Sequence, residues 1–122
     1  MFNKQLIIFA LVLMLIAAAW VAYQTSIANA TPATVNLTVT ASEMKYEPAT
    51  IKVRRGQTVN LTFRNASTLM VHEFKLNGFD VWTKAGPGYE NTQTFVASAA
   101  GTYKFTCNIP GHESMVGEFI VQ

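Results

Sequence analysis

The stretch "GTYKFTCNIPGHESMVGEFIV", residues 101–121, decides how the whole chain is read. Thr102–Thr106 and Gly117–Val121 have the composition of two β-strands, with Gly101 supplying the turn before the first. Between them lies "CNIPGHESM", residues 107–115, which carries the chain's only cysteine and one of its two histidines. Cys107 ends one strand and Met115 nearly begins the next, so the loop that carries His112 is closed at both ends. Pro110 fixes φ and Gly111 permits a tight turn, which makes the loop stiff.

Upstream, strand patterns repeat. Val35, Leu37 and Val39 alternate with Asn36, Thr38 and Thr40, the period of a half-buried strand. Ile51 and Val53 alternate, Arg55-Gly56-Gln57 turns, and Val59, Leu61 and Phe63 alternate again. Pro48 suits a strand start or edge, where a missing N–H costs least. Val71–Leu76 is a further strand with His72 near its start, and Thr92–Val96 another. The segment "NGFDVWTKAGPGYEN", residues 77–91, is rich in turn formers and reads mainly as loop. No amphipathic helix is predicted after Tyr23. Six or seven short strands separated by turn signals indicate an all-β sandwich or small barrel.

The N-terminal quarter has a different chemistry. Leu6–Tyr23 contains no charged residue; Lys4 precedes it, and Ala28-Asn29-Ala30 follows. A basic start, an apolar run and a small-x-small end are the parts of a secretory signal. The run is also long enough to span a bilayer, which takes about 18 or more apolar residues. Residues 1–30 are therefore expected to be a signal peptide or a membrane anchor through residues 6–23, with cleavage after Ala30 favoured. Residues 31–122 form the exported domain, led in by the short, mobile "TPAT". With Lys4 set aside, eight Lys and Arg face seven Asp and Glu. Near-neutral charge gives no case for nucleic acid. A lone cysteine in an exported domain is buried and inert, paired between chains, or bound to a ligand.

The donor inventory favours the last option. A thiolate, two imidazoles and a weak axial thioether make up the trigonal blue-copper site. Cys107, His112, Met115 and the other histidine, His72, supply that set with no Cys or His left over. Each has an ordinary alternative: a buried thiol, a surface histidine or a core methionine. A Cys–His nucleophilic pair would need an orienting third group and an oxyanion hole, which nothing in the sequence suggests. Zinc is disfavoured because a methionine donor is atypical for it. The Asn-x-Ser/Thr triplets at Asn36, Asn60 and Asn65 matter only in a glycosylating host.

The chain resembles the cupredoxins, from about Val39 to Val121. "YEPATIKVRRGQTVNLTFRN" is similar to the family's paired N-terminal strands, "MVHEF" to its first-ligand strand, and "GTYKFTCNIPGHESMVGEFIV" to its copper loop and closing strand. The resemblance implies a Greek-key β-sandwich and one copper ion cycling between Cu(I) and Cu(II). It implies His72, Cys107, His112 and Met115 as ligands. It also implies a non-enzymatic, monomeric electron carrier in the periplasm or on the outer face of the cytoplasmic membrane. Redox proteins such as c-type cytochromes or an oxidase are the expected partners. The two-residue gap between His112 and Met115, "GFDVWTKAGPGYENTQTF" and the apolar N-terminus also resemble cytochrome oxidase subunit II. Its binuclear centre needs two thiolates, so a mononuclear site is expected here. A periplasmic copper-delivery protein is the alternative function, and a membrane-anchored relative of subunit II is another. Glu73 stands where several relatives carry an amide, and Glu73 or Glu113 is a candidate oxygen donor. Asn108 is a candidate hydrogen-bond donor to the sulfur.

Overall fold

A computed structural model describes residues 3–28 and 33–122. The Ala28-Asn29-Ala30 triplet and the first half of "TPAT" fall outside or at the margin of the described residues. Helix α1, Lys4–Ala28, covers the apolar N-terminal run. Its stretch Lys4–Ser26 is long and apolar enough to cross a membrane, and it is apolar on all sides, not on one face.

The remaining segment folds as two sheets. The strands are β1 (Val35–Ser42), β2 (Lys45–Glu47), β3 (Thr50–Val53), β4 (Thr58–Asn65), β5 (His72–Leu76), β6 (Val81–Ala85), β7 (Glu90–Val96), β8 (Gly101–Thr106) and β9 (Val116–Val121). One sheet has the order β2-β1-β4-β7, the other β3-β9-β8-β5-β6. β1 pairs parallel with β4, and β3 with β9; the other pairings are antiparallel. This is a β-sandwich, as the alternating patterns require.

Two strands go beyond the sequence expectation. β6 lies inside the segment read as loop: Val81, Thr83 and Ala85 are buried while Trp82 and Lys84 are exposed. Gly78, Pro87 and Gly88 at its flanks concealed a five-residue strand that pairs with β5 from Leu76↔Val81 to His72↔Ala85. β2 is only three residues long, too short to show a period. The β5 strand itself begins at His72, one residue later than expected.

Inward residues of both sheets interdigitate as the core. Tyr46, Phe63, Phe74 and Phe105 form one aromatic cluster, with ring centroids 4.9 Å apart for Phe74–Phe105 and 5.1 Å for Tyr46–Phe105. Phe79, Phe95, Tyr103 and Phe119 form a second cluster. Full burial of a ring such as Phe63, Phe74, Phe105 or Phe119 stabilises the fold by about 1.5–3 kcal/mol. Gly117 faces Phe105 directly across β8 and β9. The Phe105 ring lies over it, so a Cβ at position 117 would collide with that ring. Gly117→Ala is therefore expected to lower the unfolding free energy by about 1–3 kcal/mol, read by urea denaturation.

Candidate metal centre

The candidate site lies where β5, β8 and β9 converge. His72 is the first residue of β5, Cys107 follows the last residue of β8, and Met115 precedes β9. Strand alternation fixes the direction of His72: it points inward, at 0% exposure, and Glu73 lies on the opposite face of the strand, where it too is buried. Cys107 and Met115 are buried as well, and His112 is partly exposed.

The ligand loop closes on itself through backbone bonds. The His112 N–H donates to the Ile109 carbonyl at 2.9 Å, and the Met115 N–H to the His112 carbonyl at 2.9 Å. The Cys107 N–H donates to the Met115 carbonyl at 3.4 Å. Gly111 has φ +88°, a conformation that glycine adopts without strain. The Gly111 N–H donates to Glu113 Oε1 at 2.9 Å. That bond, with the residue's own N–H, holds the exposed Glu113 carboxyl below its ordinary range.

These constraints bring His72, Cys107 and His112 together, with candidate ligand atoms all within 4.8 Å of one another. Cys107 Sγ is 3.5 Å from His112 Nδ1, and the two imidazole centroids are 4.9 Å apart. Both ring nitrogens of the buried His72 lack a hydrogen-bond partner. Buried polar atoms are normally paired. A buried, unpaired imidazole with one ring nitrogen near a thiol and a second imidazole is what a metal site presents, and two imidazoles with a thiol and a neighbouring thioether suit copper. Burial, and to a lesser degree repulsion by His112, hold the His72 imidazolium below its ordinary pKa. The neutral, ligating form is thereby favoured.

The supporting residues were mostly missed from the sequence. The Glu73 N–H, not Asn108, donates to Cys107 Sγ, at 3.4 Å; Asn108 Oδ1 instead accepts from Thr106 Oγ1 at 3.3 Å. The Glu73 carboxylate pairs with Lys84 Nζ at 3.4 Å, on the face opposite His72. The Tyr46 hydroxyl donates to the Glu73 carbonyl. Burial first, then the charges of Cys107 and Glu73, push the Tyr46 pKa far up, so the phenol remains a donor.

Asn65 is fully buried. Its Nδ2 donates to the Met70 carbonyl at 2.7 Å and the Ala85 carbonyl at 2.9 Å, and its Oδ1 accepts from the Ser67 N–H at 2.9 Å. Ala85 is the cross-strand neighbour of His72, so Asn65 braces the approach to the first histidine. Its Asn-x-Ser triplet marks a structural amide, with no side chain free for glycosylation.

Comparison with known proteins agrees with this architecture. The family model for the cupredoxin-like domain matches residues 11–121. The chain belongs to that family. It is 27% identical over 121 aligned residues to auracyanin-A of Chloroflexus aurantiacus, across 74% of this chain and 75% of the relative. The solved structure of that protein, described as a "blue" copper protein, superposes with a TM-score of 0.65 at 23% identity, covering 73% of this chain and 99% of that one. The copper-resistant cuproprotein CopI of Rubrivivax gelatinosus is 29% identical over 105 residues, 69% of this chain and 64% of its own length. A chain of a heme-copper terminal oxidase dimer shares the fold across 98% of both chains, with a TM-score of 0.61 and 20% identity. The resemblance to the oxidase copper domain thus holds at the level of fold.

The direction of the His72 shift gives a pH dependence. In the unfolded chain a histidine takes up its proton near pH 6.5. Below that value the unfolded state binds more protons than the folded state, so stability falls as the pH is lowered. The His72 contribution is present above about pH 6.5 and is lost as pH falls toward the lower folded pKa. The urea midpoint of the metal-free protein should drop between about pH 7.5 and about pH 5, and His72→Gln should shrink that drop.

Proposed function

We propose that this protein is an exported, mononuclear type 1 copper protein that carries single electrons between redox proteins, and that it is not an enzyme. The observation that carries this reading is the buried His72, with both ring nitrogens unpaired beside Cys107 and His112. His72, Cys107 and His112 would hold the ion, with Met115 as a weaker thioether donor. Bound copper supplies a one-electron couple between Cu(I) and Cu(II). The chain's own residues hold the ligands fixed, exclude water from Cys107, and leave only His112 partly exposed as an exit for the electron.

The surface around that exit suits brief docking. Pro110 and Gly111 are exposed and Ile109 is half-buried. The expected partners are redox proteins such as c-type cytochromes or an oxidase, met by a monomer. Cys107 and His112 are in contact, as a nucleophile and its base would be. The thiol is nevertheless buried, and the two described surface cavities are lined by other residues, chiefly Ser42–Glu43 with Ala66–Met70 and Arg64–Thr68 with Pro87–Gly88. This supports a carrier over a hydrolase or transferase.

Helix α1 is proposed to direct export, leaving the copper domain in the periplasm or on the outer face of the cytoplasmic membrane. The intact mass of the mature protein distinguishes a cleaved signal from a retained anchor.

The full-length protein in detergent, given Cu(II), should develop an intense thiolate-to-copper absorption band that is absent from Cys107→Ala. A weak spectrum typical of nitrogen and oxygen ligation would count against the proposal. The similarity to CopI favours a second reading, copper binding for delivery or resistance. A carrier of electrons must retain its metal through many cycles, so slow loss of copper to a competing chelator supports electron transfer. Rapid exchange supports delivery.

A further inference from the structure

Glu73 meets its surroundings through three different groups. Its N–H donates to Cys107 Sγ at 3.4 Å, its carbonyl accepts from Tyr46, and its carboxylate pairs with Lys84 at 3.4 Å. The register places Glu73 directly opposite Lys84 across β5 and β6. Glu73 is only 8% exposed, whereas the Lys84 side chain is half exposed. A buried carboxylate thus stands one residue from the His72 imidazole, on the peptide unit that donates to the thiolate.

We propose that Glu73 and Lys84 act as a compensated charge pair beside the metal centre, each charge offsetting the pull of the other on its reduction potential. The inference rests on copper binding by His72, Cys107, His112 and Met115. A buried negative charge beside a redox ion favours its more highly charged, oxidised state, and a low local dielectric strengthens that effect. Lys84 cancels most of this bias from the surface side. Both are positioning residues: neither is a ligand, and the carboxylate lies on the strand face opposite His72, paired with Lys84. Glu73 is therefore not the oxygen donor considered from the sequence.

The two members of the pair act with opposite sign, which a purely structural role would not do. Lys84→Gln leaves the carboxylate uncompensated and should shift the Cu(II)/Cu(I) equilibrium toward Cu(II) by about tenfold, about 59 mV downward for one electron. Glu73→Gln should move the potential upward. Lys84→Arg should restore the wild-type value, and the double variant Glu73→Gln, Lys84→Gln should return close to it. The experiment is a potentiometric titration of the copper-loaded, detergent-solubilised full chain at fixed pH, followed at the charge-transfer band. Urea unfolding of each metal-free variant runs in parallel to separate electrostatics from loss of fold. Opposite shifts with rescue by arginine support the proposal. An intact band with unmoved potentials, or shifts of the same sign in both single variants, overturns the charge pair alone. A wild-type protein with no charge-transfer band overturns the copper site and the pair together.

Discussion

The hydrogen bond from the Glu73 N–H to the Cys107 sulfur joins the two parts of the chain that must meet for the site to exist. One part is the start of β5, which delivers His72. The other is the loop after β8, which delivers Cys107, His112 and Met115. They are separated by more than thirty residues of sequence, so only the closed sandwich brings them together. The sulfur accepts this bond at a position where a neutral buried thiol would gain little from it. A thiolate gains more, because hydrogen bonds to charged acceptors are the stronger ones.

The rest of the fold holds that junction stiff. Tyr46 anchors the carbonyl of the same residue from the opposite sheet, and its ring packs edge-on to Phe105, two residues before Cys107. Asn65 ties the end of β4 to the β4–β5 loop and to Ala85 beside His72. A buried amide satisfied in this way specifies one arrangement of three segments, since any other leaves polar groups unpaired. Electron transfer favours a rigid site, because a donor set that moves little between redox states has little to reorganise. The strain-free φ of Gly111 and the three backbone bonds of the ligand loop serve the same end.

The candidate ligands were legible in the sequence because their chemistry is rare and their spacing local. Cys107, His112 and Met115 lie within nine consecutive residues, and the only other histidine completes the set. The supports were much less so. Glu73 acts through its backbone N–H, which every non-proline residue possesses, so its identity announces nothing. Asn65 looks like a glycosylation triplet until its burial is known. Trp82 and Lys84 looked like loop because Gly78, Pro87 and Gly88 bracket a strand of only five residues, too short for its alternation to stand out although β5, its hairpin partner, ends just before it.

By itself, the sequence determined the all-β class, the apolar N-terminal run and the donor types, since periodicity, hydropathy and side-chain chemistry are local properties. Tertiary structure alone decided which backbone amide faces the sulfur, that Asn108 does not, and that Glu73 turns away from the cluster toward Lys84. Those outcomes depend on strand register, and a shift of one residue would reverse every side chain. Register is set by the packing of both sheets together, a property that no single stretch of the chain contains.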